Sequence, residues 1–325
     1  MRTIDWIDDA VVIVDQTRLP AATEWLRLTT VESLVEAIQR LAVRGAPALG
    51  VAGAMGVALA ALQHPADDRL RAQAVHLVET ARPTAVNLAR GAQRAAAFLP
   101  SFPAVLAEAL RIRDEEIANS TAMGRRGADL VSRLCGPNAR LLTHCNTGGL
   151  ATVVEGTALA VVFELHRRGD LGGVVVSETR PLLQGARLTT WELSRSGVPH
   201  RLAVDSAGPF LMARGEVDAV ILGADRICAN GDVINKIGSY AHALGARAAG
   251  IPFICVAPES TVDLTTPSGD KVDIEDRAAA EVVGTIAPPD TDAFNPAFDV
   301  TPSSLVTAIV TECRTWHPRL PHDQR

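Results

Sequence analysis

The 325-residue sequence is poor in lysine and lacks several motifs that define large enzyme classes. Only Lys236 and Lys271 are lysines among its 31 lysines and arginines. The sequence has no Walker A loop, no zinc-binding motif and no Gly-x-Ser-x-Gly elbow. It therefore does not resemble a P-loop nucleotide hydrolase, a zinc enzyme or a serine esterase.

Charge and hydropathy exclude further classes. The net charge of -6 argues against a nucleic-acid-binding surface. A hydrophobic content of 47% and a mean hydropathy of +0.15 predict a large buried core. The longest apolar run, Leu49 to Leu62, is too short to span a bilayer and predicts a buried helix. We therefore expect neither a nucleic-acid partner nor a membrane partner.

Cysteine usage and the N-terminal residues indicate a cytoplasmic protein. Acidic residues in MRTIDWIDDAVVIVDQ stand where a signal peptide would carry basic ones. The cysteines are odd in number and widely spaced, which favours reduced thiols over a disulfide framework. They are Cys135, Cys145, Cys228, Cys255 and Cys313.

Two regions with different hydrophobic patterns predict two domains in an α/β protein. Residues 1–125 contain one strand-like segment, Ala10 to Val14, and several Ala- and Leu-rich helical patterns, so we expect a smaller, mostly helical N-terminal domain. Residues 126–325 alternate short β-branched strands with helices, which predicts a Rossmann-like parallel sheet. The predicted strands are Arg140–His144, Gly173–Ser177, His200–Val204, Ala219–Leu222 and Phe253–Ala257, and the helices between them are Leu150–Arg168, Gln184–Gly197, Phe210–Gly215 and Asn235–Gly250.

Two arginines in the N-terminal half precede predicted helices. Arg44, Gly45 and Ala46 come before Pro47, and Arg82 begins a similar Arg-Pro-Thr segment. A helix N-terminus with an arginine beside it can bind a phosphate or a carboxylate. The alternative is an ordinary helix start with a solvated arginine.

Polar clusters also follow the predicted strands, where α/β sheets bind ligands. Cys145 follows the first strand beside His144, and the alternatives are a reactive thiol or a small buried side chain. No second metal-ligand residue lies at a suitable spacing from His144, which favours a core histidine. Gln184 lies near a helix start and could donate to a phosphate or a sugar hydroxyl.

The segment GADRICANGDVINKIG carries the remaining candidates. Asp225 lies three residues beyond a predicted strand, where it could act as a general acid if an apolar pocket keeps it protonated. The alternative is that Arg226 simply neutralises it. Asn235 and Lys236 are predicted to open a helix and to bind phosphate there.

These clusters together resemble the methylthioribose-1-phosphate isomerase family, which is related to the regulatory α, β and δ subunits of initiation factor 2B. The resemblance runs from Asp15 to Val310. Its motifs are RGAPALG, RPTAVNL, THCNTGGLAT, ETRPLLQGARLTTWEL and GADRICANGDVINKIG. It departs from the family at Ser177, at Thr147-Gly148-Gly149 and at Ala293, where the family more often has Asp, Ala-Gly-Ala and Tyr.

The resemblance implies a cofactor-free aldose–ketose isomerisation of a sugar 1-phosphate in methionine salvage by a homodimer. It implies Cys145 and Asp225 as the catalytic pair. It also implies substrate contacts from Arg44, Gly45, Ala46, Arg82, Gln184, Asn235 and Lys236. The substituent at C5 of the sugar and the choice between an enolate and a hydride shift stay open. Alternatives are an isomerase of ribose 1,5-bisphosphate or a 5-deoxypentose 1-phosphate, and a non-catalytic regulatory subunit.

Overall fold

A computed structural model describes residues 1–83, 85–284, 286–288 and 290–318. Thr84 of the Arg-Pro-Thr segment and the last residues of the predicted domain 126–325 lie outside the described residues. The chain forms two compact units. The first contains Met1–Ser120 and Gly148–Gly156, and the second contains Thr121–Thr147 and the described residues from Thr157 onward.

The first unit combines a small sheet with helices. Its strands β1 (Ile4–Ile7), β2 (Ala10–Val14) and β3 (Trp25–Leu28) form an antiparallel sheet in that order. The sequence predicted only the middle strand. Four helices follow, and a fifth begins here and ends in the second unit: α1 (Val31–Gln39), α2 (Ala46–Gln63), α3 (Asp68–Glu79), α4 (Val86–Ala96) and α5 (Phe102–Cys135).

Helix α2 is the core of the first unit. Among the described helices, it alone is long and apolar enough to cross a membrane, yet 78% of it is buried within the protein. A Cβ added at Gly53 would lie 2.3 Å from the carbonyl oxygen of Leu88 in α4. The two helices therefore pack backbone to backbone at Gly53. The predicted buried helix is confirmed.

The second unit is built on a seven-stranded sheet. Its strands are β4 (Ala139–Thr143), β5 (Leu171–Ser177), β6 (His200–Ala203), β7 (Ala219–Leu222), β10 (Phe253–Val256), β13 (Ala308–Val310) and β14 (Thr315–Trp316). The order is β14-β13-β10-β7-β4-β5-β6, and only β14 pairs antiparallel. The predicted parallel sheet is confirmed, and every predicted strand lies within a few residues of an observed one.

Helices cover both faces of this sheet. They are α6 (Ala158–Arg168), α7 (Thr190–Arg195), α8 (Ala207–Ala213) and α9 (Ser239–Ala249), and a short helix α10 (Ala280–Val283) follows. Successive strand residues enter opposite cores: Leu141 packs on the α6 side and Leu142 on the α9 side. A strand buried on both faces must be apolar throughout, which is why these strands read as continuous hydrophobic runs.

A second, mixed sheet corrects one prediction. It contains β8 (Arg226–Cys228), β9 (Val233–Lys236), β11 (Val262–Asp263) and β12 (Phe298–Thr301), in the order β11-β8-β9-β12. Asn235 and Lys236 therefore end a strand instead of opening a helix, and α9 begins only after Gly238. The physical reason is the antiparallel pairing of β9 with β12, a partner more than 60 residues away.

The predicted helix Leu150–Arg168 is also corrected. The chain forms a 3₁₀ turn at Gly149–Ala151, and α6 begins at Ala158. The predicted helix Gln184–Gly197 begins instead as a π-helix, Gly185–Thr189, before α7. Glycine-rich segments do not reveal from sequence alone whether they extend a helix or delay its start.

Candidate functional site

Cys145 lies in a tightly held loop at the carboxyl end of β4. Its side chain is buried, with 9% exposed. Its backbone N–H donates to the Thr179 hydroxyl (N···Oγ1 2.9 Å), and its carbonyl accepts from the Thr189 hydroxyl (2.7 Å). Its φ of 64° is left-handed, a conformation that costs a non-glycine residue free energy and persists only when neighbours enforce it.

The next residue is fixed by the helix that follows the π-helical turn. Asn146 donates from Nδ2 to Glu192 Oε1 at 2.7 Å and to Thr189 Oγ1 at 3.2 Å. All three side chains are buried. The Thr189 hydroxyl thus contacts both Cys145 and Asn146, and it orients two consecutive loop residues at once.

Asp205 supports the same loop, although the sequence analysis did not select it. Its carboxylate accepts from the backbone N–H groups of Thr179 and Arg180, both at 2.7 Å, and from the Ser177 hydroxyl. Burial raises the pKa of Asp205, but these donors outweigh burial and the net pKa is lowered. Its position just beyond β6 was a signal that could have identified it.

Asp225 lies beyond the neighbouring strand β7 and is exposed. Its backbone N–H donates to the carbonyl of Ile234 in β9 at 2.9 Å. Within the described residues, therefore, no apolar pocket encloses this carboxylate. Arg226, the residue considered as its neutraliser, lies 3.4 Å from Asp263 Oδ2.

A close approach joins the Cys145 loop to the Asp225 loop. A Cβ added at Gly223, the first residue after β7, would lie 2.9 Å from Thr147 Cγ2 and 3.2 Å from Thr157 Oγ1. Thr147 is two residues beyond Cys145, and Gly223 is two residues before Asp225. The structure therefore brings the two loops with the predicted catalytic pair into contact.

Gln184, Asn235 and Lys236 belong to the same unit. Gln184 is buried at the start of the π-helical turn, and its Oε1 has no hydrogen-bond partner within the described part of the chain. Asn235 donates from Nδ2 to the Ser239 hydroxyl at 2.9 Å. Lys236 Nζ lies 4.6 Å from the ring centroid of Phe298, a cation–π contact.

Asp299 is a second acidic residue that the sequence analysis missed. It accepts from the backbone N–H groups of Gly238 (2.7 Å) and Tyr240 (3.1 Å) at the start of α9. Burial raises the pKa of Asp299 to about 6, although these donors and the charge of Lys236 lower it. Its place within the span of the family resemblance, six residues beyond Ala293, was the available signal.

The other predicted substrate contacts belong to the first unit. Arg44 donates from Nε to Gln16 Oε1 at 3.1 Å, and Gln16 donates to the carbonyl of Leu150. Gly45 has a φ of 97°, and a Cβ there would lie 2.5 Å from the carbonyl oxygen of Ala151. Only glycine fits that approach.

Two further predicted contacts in this unit lie near helix starts. Ala46 is the first residue of α2, and Pro47 takes the second position. Arg82 is half-buried four residues before α4. Within the described residues, no group of three or more His, Cys, Asp or Glu side chains is arranged to hold a metal ion.

The doubly wound sheet, with polar loops at the carboxyl ends of its strands, defines a Rossmann-like α/β protein. The chain belongs to the initiation factor 2 subunit family, whose model matches residues 42–318. The resemblance inferred from the sequence motifs is thereby confirmed at the level of the family.

Two curated relatives are isomerases by name. The methylthioribose-1-phosphate isomerase of Anaeromyxobacter dehalogenans (strain 2CP-C) is 52% identical over 94% of this chain and 90% of its own length. A probable bifunctional methylthioribose-1-phosphate isomerase/methylthioribulose-1-phosphate dehydratase of Nocardia farcinica (strain IFM 10152) is 52% identical over 96% of this chain. The chain spans 59% of the length of that relative.

Two solved structures have the same fold and different descriptions. The 5-methylthioribose 1-phosphate isomerase of Pyrococcus horikoshii OT3 superposes with a TM-score of 0.91 and 40% identity, covering 98% of this chain and 92% of that one. A structure described as the translation initiation factor eIF-2B subunit delta from A. fulgidus superposes with a TM-score of 0.87 and 42% identity, covering 98% and 96%.

Proposed function

We propose that this chain is an isomerase that converts 5-methylthioribose 1-phosphate to 5-methylthioribulose 1-phosphate in methionine salvage. The observation that carries the proposal is the contact of Thr147 with Gly223, which brings the loops bearing Cys145 and Asp225 together. Relatives named as this isomerase, about half identical over most of the chain, support the substrate. A binding module would have no need for a thiol and a carboxylate on adjoining loops.

The chemistry assigns a task to each of these two groups. A phosphate at C1 blocks the anomeric oxygen, so the furanose ring cannot open as that of a free sugar does. Ring opening needs an acid to protonate the ring oxygen or a neighbouring oxygen, and hydrogen must then move from C2 to C1. We assign the acid to Asp225 and the partner that accepts or relays a proton to Cys145. Such a pair contributes about 10²–10⁴-fold to the rate.

Substrate binding is assigned to the remaining polar residues. Lys236 supplies a compact positive charge for the phosphate. The unsatisfied Oε1 of Gln184 accepts from a sugar hydroxyl, and the second N–H of the Asn235 amide is left to donate after Ser239 takes the first. Arg44, Gly45, Ala46 and Arg82 are assigned to the same substrate on the basis of the resemblance.

The oligomeric state and the compartment are part of the proposal. The family resemblance implies a homodimer, and the cysteine pattern implies the cytoplasm. Helices α8 and α9 pack together and leave Phe210, Tyr240 and Leu244 exposed. Exposed apolar side chains on neighbouring helices are typical of protein interfaces. Light scattering on the purified protein should give twice the chain mass of 34.3 kDa.

The deciding experiment is a turnover assay with purified protein. We expect conversion of 5-methylthioribose 1-phosphate to the ketose without added metal or cofactor, and slower conversion of ribose 1,5-bisphosphate. Asp225→Asn should lower kcat by about 10²-fold or more with little change in KM. Full activity in that variant would exclude Asp225 as the acid.

A regulatory function is the second candidate, favoured by the A. fulgidus structure described as an initiation factor subunit. Folded protein that turns over neither sugar phosphate would support that candidate. Faster turnover of ribose 1,5-bisphosphate would instead change the assigned substrate while leaving the roles of Asp225 and Cys145 intact.

A further inference from the structure

Two buried histidines contact each other directly behind the Cys145 loop. His144, the residue before Cys145, is fully buried, and so is His242 in α9. His144 Nε2 lies 2.8 Å from the carbonyl oxygen of Ile237, and His144 Nδ1 lies 3.3 Å from His242 Nε2. The rings meet edge to face with centroids 5.0 Å apart. One short chain of contacts thus joins the Cys145 loop to the residue after Lys236.

For two neutral rings, the hydrogen bonds fix both tautomers. A carbonyl oxygen only accepts, so the proton of His144 is on Nε2 and its Nδ1 is the acceptor. His242 must then donate from Nε2, which leaves its Nδ1 as an acceptor, and that atom has no hydrogen-bond partner among the described residues. With His242 donating from Nε2, a protonated His144 would direct a second N–H at that donor, so this arrangement requires a neutral His144.

The surroundings favour these neutral forms. Burial lowers the pKa of His242 to about 3 and also lowers the pKa of His144. Two charged groups act on His144 in opposite directions: Asp205, 4.0 Å from Nδ1, raises its pKa, and Lys236 lowers it. Burial is the largest effect at each ring, so the pair stays uncharged near neutral pH.

Two glycines bring the backbone close against the rings. A Cβ added at Gly238 would lie 2.9 Å from His144 Cε1, and a Cβ added at Gly208 in α8 would lie 2.4 Å from His242 Nδ1. The pair is therefore enclosed by the end of β4, the turn after β9, and helices α8 and α9. A shift of His144 toward Gly238, or of His242 toward Gly208, therefore requires a shift of the backbone.

The geometry points to His144 and His242 as positioning residues that hold the Lys236–Gly238 turn in register with the Cys145 loop. We assign neither ring a contact with the reacting atoms. His144 acts through Cys145 on one side and through the Ile237 carbonyl on the other. The role of the pair in turnover rests on the proposed isomerase function, whereas its tautomeric state does not.

The first test compares two substitutions of His144. His144→Leu removes the bond to Ile237, and it should raise KM, lower kcat and reduce kcat/KM by about tenfold or more. His144→Gln keeps an N–H near the position of Nε2 and should recover most of that loss. His242→Leu removes the donor to Nδ1 and should have an intermediate effect. Thermal unfolding of each variant is measured alongside.

Leu165→Ala is the matched control for lost stability. Leu165 is fully buried in α6, and its truncation costs stability without removing a hydrogen bond. Equal losses of kcat/KM in Leu165→Ala and His144→Leu at similar unfolding temperatures would refute the positioning role. A His144→Gln variant whose kcat/KM is no higher than that of His144→Leu would refute the positioning role as well.

A second measurement uses the unmodified protein. Nitrogen-15 NMR of the histidine rings, eight in the chain, reports tautomer and titration directly, with the two rings assigned from signals lost in the variants. We expect both rings as neutral Nε2–H tautomers that do not titrate between about pH 6 and 8. An Nδ1–H tautomer or a titrating His144 would refute the arrangement. Absent turnover in the wild-type protein would count against the isomerase function alone, and the NMR result would still decide the state of the pair.

Discussion

The loops after β4 and β7 lie side by side, yet they are held very differently. The β4 loop is buried, and its residues 144–146 bond through ring, backbone and side chain to Ile237, Thr179, Thr189 and Glu192. The β7 loop leaves Asp225 exposed, with a backbone bond to Ile234. One proposed catalytic group is therefore set rigidly before substrate arrives, and the other is accessible to solvent.

This difference separates two contributions: the strand-end position places both residues at the candidate site, and local packing determines how firmly each is held. Both residues occupy the edge where α/β sheets bind ligands. The surrounding bonds enforce the left-handed backbone of Cys145, whereas an exposed carboxylate can gain an apolar environment only when other groups cover it. We infer that the β4 loop holds Cys145 in a fixed position. We also infer that the environment of Asp225 is completed by substrate or by another part of the assembled protein.

The largest expected effect comes from truncating the thiol. Cys145→Ala should lower kcat by about 10²-fold or more, because it removes the partner of the acid. Cys255→Ala is the matched control. Cys255 is fully buried within β10, where burial raises its thiol pKa far above the usual range. Its truncation should cost some stability and spare turnover, and the comparison fails if both variants lose activity equally.

The next effect tests the rigidity of the β4 loop. Thr189→Val removes the hydroxyl that donates to Cys145 and accepts from Asn146, so kcat should fall several-fold, by about 1 kcal/mol of barrier. Thr190→Val is its control, since that hydroxyl donates to the carbonyl of Ala186 in the preceding turn. Steady-state kinetics decide between them. Equal kcat values in the two variants would show that the loop is held without Thr189.

A smaller effect is expected from separating the two loops. Gly223→Ala places a methyl against Thr147 and should cost about 1–3 kcal/mol of stability together with a loss of kcat. Adding Thr147→Ser removes the clashing methyl and should restore most of both quantities, since the contact with Thr157 Oγ1 at 3.2 Å remains. Gly50→Ala, where the new Cβ lies 3.4 Å from the nearest atom, is the control. A Gly223→Ala variant as active as wild type would show that the loops tolerate separation.

The smallest effect concerns Asp299 beneath the Lys236 turn. Its carboxyl ionises near its ordinary pKa of 3.8 when unfolded and near 6 in the folded protein. Between these values the folded state retains a proton that the unfolded state has lost, so stability falls as pH rises from 4 to 6. Asp299→Asn lacks this loss. Denaturant unfolding of both proteins at pH 4 and pH 6 should show the difference, and parallel pH curves would contradict the raised pKa.

Sequence patterns predicted the local parts of the fold well. The apolar, β-branched runs of β4, β5, β7 and β10 identified the parallel strands, because each is buried on both faces. The prediction for the β9 segment was wrong because Val-Ile-Asn-Lys, followed by Ile237 and Gly238, is compatible with a strand or with a helix start. Val233 and Ile234 also pair with the nearby β8, whereas Asn235 and Lys236 pair with β12, and pairing across more than 60 residues leaves no local pattern.

The candidate site likewise contains residues that the sequence selected and residues that it missed. Motif and strand-end position were enough to select Cys145, Asp225, Gln184 and Lys236 from the sequence. Asp205 and Thr179 were missed because their role is to bind the backbone of other residues, and backbone hydrogen bonds do not depend on a recognisable side-chain pattern. His144 was correctly expected in the core, but its link to His242 joins residues 98 apart.

The sequence by itself determined the class of this protein: a parallel α/β sheet with polar loops at the strand ends, because hydrophobic periodicity and strand-end chemistry are local properties. Only the tertiary structure decided how those loops are held. The left-handed Cys145, the neutral histidine pair and the contact between Thr147 and Gly223 arise from packing between distant segments. Packing of that kind depends on shape complementarity in three dimensions, which a one-dimensional pattern does not encode.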